Sequence, residues 1–169
     1  MWTKWLAVAL IVAAAIFTGV DMARLYPQLP DKIASHFDAH GVPNDWSSKE
    51  TFVRMAGGTF VGVALLLCAM PIIMRLTPSL LNLPNKDYWL APEQRDATFQ
   101  FLSTWMLWFA ACTLWLLAIV FHAALIANLQ KPPQLMPIWW PLSGFLAAVM
   151  ALLFTLMQRF RRTDESATV

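Results

Sequence analysis

Charge is scarce in this chain. Asp, Glu, Lys and Arg make up 13% of its 169 residues, about half the share of a soluble domain, while 59% are hydrophobic. That balance excludes an ordinary cytosolic globule. Cysteine is nearly absent: Cys68 and Cys112 are the two present, both inside apolar runs, which excludes a disulfide framework and leaves them as small packing residues. No stripe of basic residues accompanies the net charge of +2, so nucleic acid is not an expected partner. GxSxG, GxxxxGK, HExxH, CxxC and GxGxxG are all missing, which removes the enzyme classes whose chemistry those spacings carry. There is no internal repeat and no low-complexity tract.

What is there is a set of long charge-free gaps. Residues 5–20, 55–74, 97–130 and 132–158 hold no charged side chain. About 20 mostly apolar residues cross a hydrocarbon core. The gaps therefore predict four membrane helices, at roughly 3–22, 53–74, 101–127 and 137–158, in one all-α membrane domain. Lys4 before a short apolar run also fits a signal peptide, but no convincing small-x-small cleavage site follows, and a span is the better reading. An even number of spans puts both termini on one side. Lys4, Arg75, Lys86, Arg95, Arg159, Arg161 and Arg162 flank that side, seven against five on the other, so the termini are expected in the cytoplasm. The outward face then carries a loop at 23–50 and a proline-rich turn at Lys131. The inner face carries a loop at 75–98 and a tail from 159. Trp2, Trp5, Trp139 and Trp140 stand where aromatic belts form.

Two polar segments concentrate the information. In the first loop, Pro30 and Asp31 suit a helix start, Gly41 suits a helix end, and Ile33 and Phe37 are four apart; together they predict a short helix with one apolar side. Trp46 offers an amphipathic ring to the interface. On such a helix His36 and His40 would share a face, yet two histidines fall short of a zinc set, and no metal or cofactor is assigned. In the second loop, Asn85, Lys86, Tyr88 and Trp89 are dense in hydrogen-bonding and aromatic groups, suited to interface anchoring or to a ligand. Ala91-Pro92-Glu93 predicts the start of the third helix.

Inside the spans, Gly58 and Gly62 form a GxxxG step, and Ala15 and Gly19 a similar one; both predict close helix packing, within the chain or across a homodimer. His122 is an ionisable group within a span, a relay or ligand contact by chemistry, or a hydrogen bond to a neighbouring helix.

Leu29-Pro30, His36-Phe37-Asp38, Gly41, Pro43, Trp46 and Lys49 resemble the signature of a bacterial membrane family of unknown function found at the N-terminus of SdpI-type immunity proteins. The likeness covers the first two spans and their loop, and Asn82 to Glu93 looks like a feature of short, stand-alone members; His40 is not part of the pattern. It implies a bacterial inner-membrane protein and a role in immunity to a secreted toxin or in holding a repressor at the membrane. Longer members carry further C-terminal spans, so fold and location carry over more directly than immunity. The reading that follows is a non-enzymatic ligand-sensing, immunity-like or regulatory protein. His36, Phe37, Asp38, Gly41, Pro43, Trp46 and Lys49, with the second-loop residues, would be the surface for a peptide, lipid or protein partner. The alternatives are a small accessory subunit of a larger membrane complex, and, further off, a transporter or membrane enzyme using His122 with the first-loop histidines.

Overall fold

A single long helix organises the molecule. The computed structural model describes residues 2–161, except the side chain of Trp2, and in it Pro92–Ala127 forms one helix of 36 residues. We number the helices α1 (Trp2–Leu25), α2 (Lys49–Leu76), α3 (Lys86–Trp89), α4 (Pro92–Ala127) and α5 (Trp139–Arg161), and the strands β1 (Lys32–Phe37) and β2 (Pro43–Ser48). At 1.5 Å per residue α4 is about 54 Å long, well beyond the roughly 30 Å of a bilayer core. Helices α1, α2 and α5 each pack against α4. All four are long and apolar enough to cross a membrane, and the protein is a multi-pass, all-α membrane bundle.

The helix limits follow from local chemistry. The Ser48 side chain accepts the Thr51 N–H at 3.2 Å and caps α2, with Glu50 in the first turn, where the helix dipole favours a carboxylate. Pro92 opens α4 with Glu93 behind it, as the sequence predicts. This takes residues 92–98 out of the predicted loop at 75–98. Helix α5 runs through Arg159 to Arg161, so the predicted tail begins later; Arg162 lies outside the described residues.

The α1–α4 seam is built of small residues. Ala7, Ala14 and Thr18 on α1 and Ala110, Ala111 and Ala118 on α4 are buried, which lets the backbones approach. Trp115 Nε1 donates across the seam to the Leu10 carbonyl at 3.1 Å, and Trp105 Nε1 ties α4 to α5 through the Leu152 carbonyl at 2.7 Å. The sequence pointed instead to Ala15 with Gly19 and to Gly58 with Gly62. A Cβ built on Gly19, Gly58 or Gly62 meets nothing within 4 Å. The predicted steps therefore face away from this chain's other helices, and packing inside the chain uses Ala14 and Thr18 on α1 and Ala56 and Phe60 on α2.

The first loop departs most from expectation. Instead of a short helix, β1 and β2 form an antiparallel hairpin, with Lys32 opposite Ser48, Ala34 opposite Trp46 and Phe37 opposite Pro43. An isolated helix of about ten residues is marginal in water, and Gly41 and Pro43 interrupt it. The hairpin gains partners that a helix there would lack. Ile33 is fully buried against Met22, Leu29, Ala56 and Leu125, so the hairpin is seated on the ends of α1, α2 and α4. The predicted shared face of His36 and His40 is lost with the helix: His36 lies in β1 and His40 in the turn.

Candidate functional site

The hairpin is held at its base, its outer edge and its tip, and most motif residues serve those three points. At the base, Lys49 Nζ reaches the Leu29 carbonyl at 3.2 Å and Asp31 Oδ1 at 3.1 Å, and lies 5.3 Å from the Tyr26 ring centre. Its own N–H donates to the Asp31 carbonyl. Lys49 thus fastens the start of α2 to the chain entering β1.

At the edge, one side of β1 pairs with β2 and the other meets Asn128, which is 3% exposed. Asn128 Oδ1 accepts the Ala34 N–H at 2.7 Å, and Nδ2 donates to the Ala34 carbonyl at 3.0 Å and to the Ala124 carbonyl at 2.9 Å. The sequence reading passed over Asn128. Its signal was faint: a lone amide just past the apolar run of α4.

At the tip, Asp38 Oδ1 accepts the backbone N–H groups of His40 at 2.8 Å and Val42 at 2.9 Å, an Asx-type closure. The Val42 N–H does most to hold the Asp38 carboxyl below its ordinary range; desolvation opposes it, and the His40 N–H and the nearby His40 charge add smaller lowering effects. Gly41 has φ +78°, and a Cβ there would collide with the Leu135 carbonyl oxygen. The Leu135 N–H donates to the Gly41 carbonyl at 3.0 Å. The tip is therefore tied to the connector between α4 and α5.

The rest of the motif divides between two cavities, and the register irregularities on either side of His36 in β1 break the strict alternation of the strand there. The first, about 410 Å³, lies where β1 and β2 overhang α2 and α4. Its upper rim is polar, from Ser35, His36, Asp45 and Ser47; its floor is Phe52, Met55, Ala56, Thr59 and Phe121. His36 Nδ1 donates to Asn44 Oδ1 at 2.7 Å. The Ser35 hydroxyl is buried with no hydrogen-bond partner among the described residues. The second cavity, about 590 Å³, separates the tip from the connector and is lined by Phe37, Asp38, His40, Met136 and Trp139 among others. Trp46 is 44% exposed and lines neither cavity. Pro43 opens β2 opposite Phe37, a strand-end position that tolerates its missing N–H.

The second-loop residues lie at the opposite end of the bundle. Trp89 is 4% exposed, edge-on to Phe160 at 5.2 Å and under the Arg159 guanidinium at 4.7 Å. Its ring is thus closed in between α4 and α5 rather than displayed on the surface. Lys86 Nζ donates to the Ser79 carbonyl and stitches the loop. Asn85 takes a left-handed conformation, φ 50°, ahead of the single turn of α3. Tyr88 is exposed.

His122 is not solitary. Its Nδ1 lies 2.9 Å from Asp21 Oδ2, with Phe17 beside the ring at 5.9 Å, so the pair joins α4 to α1 near the hairpin end. His36, bonded to Asn44, and His122, bonded to Asp21, have separate partners. No group of three His, Cys, Asp or Glu residues with metal-binding geometry occurs among the described residues.

Comparison with curated proteins and with solved structures finds no match. Residues 5–57, which run from α1 through the whole hairpin into the opening turns of α2, are similar to a domain of unknown function, DUF1648.

Proposed function

We propose that this is a non-catalytic binding protein of the bacterial inner membrane, with its termini in the cytoplasm and the hairpin outside, and that it captures an amphiphilic ligand in the cavity under the hairpin. One observation carries the reading: a cavity at the hairpin end of the spans with a polar rim (Ser35, His36, Asp45, Ser47) over an apolar floor (Phe52, Met55, Phe121). A ligand with a polar end and a greasy body matches that division. It gains affinity from the floor and orientation from the rim, as pocket ligands generally do. The unpartnered Ser35 hydroxyl adds a donor such a ligand can use. The likeness of the first-loop motif to SdpI-type immunity proteins supports a secreted peptide as one such ligand, with immunity or regulation as the outcome of capture.

The test is purification from native membranes in nanodiscs, with mass spectrometry of what stays bound to wild type and to His36→Ala/Asp45→Asn. A small amphiphile held by wild type and lost from the variant supports the proposal. Equal retention overturns it. A stoichiometric protein retained by both forms replaces it with the accessory-subunit reading.

A further inference from the structure

The end of the bundle opposite the hairpin holds a second, separate site. Arg75, in the last turn of α2, and Arg95, in the first turns of α4, both set their guanidinium carbons against the ring of Phe99, at 5.6 and 5.8 Å from its centre. Phe99 is 3% exposed, so the ring is a fixed platform and both cations meet at the rim of one polar cavity of about 450 Å³, completed by Pro92 and Asp96. Neither guanidinium forms an ion pair with any described residue, and Asp96, on the same rim, pairs with neither. Nearby cations are otherwise engaged: Lys86 is bonded to the Ser79 carbonyl and Arg159 is stacked over Trp89.

We infer that Arg75 and Arg95 form a clamp for the phosphodiester of a phospholipid head group. Guanidinium forks match phosphate oxygens in pairs, and stacking on an aromatic ring reduces the freedom they lose on binding. Two arginines against one aspartate leave the rim with one net positive charge, which suits the single negative charge of a phosphodiester better than a dianion. Where α2 ends and α4 rises past the hydrocarbon, the rim stands at the depth of lipid head groups. The clamp is independent of the cavity under the hairpin.

The test is native mass spectrometry of the delipidated full chain in detergent, titrated with phosphatidylglycerol, phosphatidylethanolamine or inorganic phosphate. Wild type is expected to hold one phospholipid of either kind, and Arg75→Gln/Arg95→Gln to bind it at least about tenfold more weakly. Arg161→Gln, which alters a basic residue at the same end but off the cavity, leaves binding unchanged. Arg95→Lys keeps the charge and the fold while losing the planar fork, and binds between the two extremes. Equal affinity in wild type, the double variant and Arg95→Lys overturns the clamp. Displacement of lipid by millimolar inorganic phosphate overturns the lipid assignment in favour of a free-phosphate site.

Discussion

Asn128 and Ala34, 94 residues apart, exchange two hydrogen bonds, the amide side chain accepting from the Ala34 N–H and donating to its carbonyl. One side chain stands in for a neighbouring strand. Replacing Asn128 by Leu leaves both groups buried and unpaired, at roughly 1–3 kcal/mol for each. Thermal unfolding in detergent is expected to shift downward, with amide exchange at Ala34 accelerated more than exchange inside α4. Unchanged protection at Ala34 would show that the amide is dispensable.

Gly41 and Gly58 make a matched pair. Gly41→Ala introduces a methyl against the Leu135 carbonyl on a backbone of φ +78°, where the left-handed conformation alone costs about 1–2 kcal/mol. Gly58→Ala adds a methyl to open space on a helix and removes a poor helix former. The first is expected to lower the midpoint of thermal unfolding and the second to leave it level or raise it. The reverse order would contradict the tie between the tip and the connector.

The Asp38 turn has a pH dependence of definite sign. Because the folded carboxyl titrates below its ordinary value of 3.8, its contribution to stability is whole above that value and is lost as pH falls through the lower folded value. The amide shifts of His40 and Val42 should move together as the pH falls below the ordinary carboxyl range. Asp38→Asn keeps an acceptor oxygen and should flatten that response while preserving the turn. A variant that titrates like wild type would assign the response to another group.

Asp21 and His122 should behave as a unit. The Asp21 side chain is 16% exposed and the ring 41%, so their coupling in a double-mutant cycle is expected on the order of 1 kcal/mol. Asp21→Asn and His122→Leu should each destabilise the α1–α4 seam, and the double variant should lose less than the two together. Strict additivity would mean that the 2.9 Å contact contributes nothing.

The helices were legible in the sequence because burial in lipid requires long charge-free runs, and the gaps around Met55–Met74 and Ala97–Gln130 admit no other structure. The start of α4 was legible in Ala91-Pro92-Glu93 for similar reasons of local chemistry. The hairpin was not. Ile33 and Phe37 are four apart, which suits a helix, but what decides the conformation is Leu125 and Asn128, far along the chain. The motif residues were found, while their division of labour was hidden: Lys49, Asp38 and Gly41 shape the hairpin, and His36 with Asp45 and Ser35 faces a cavity. The pairing of Asp21 with His122 spans 101 residues, and no local pattern announces it. Trp89 looked like a surface aromatic because nothing nearby in sequence foretells its burial under Phe160.

The position of α4 as the common partner has a consequence for biogenesis. The segment similar to DUF1648 ends at residue 57, yet Ile33 is buried in part by Leu125, Ala34 is paired by Asn128, and Asp21 is matched by His122. Until the third span has left the ribosome and entered the bilayer, Asp21 stays without His122 and the hairpin has only the part of its seat that α1 and α2 supply. The first half of the chain therefore waits in the membrane as two loosely associated helices, and the hairpin is completed only when α4 arrives.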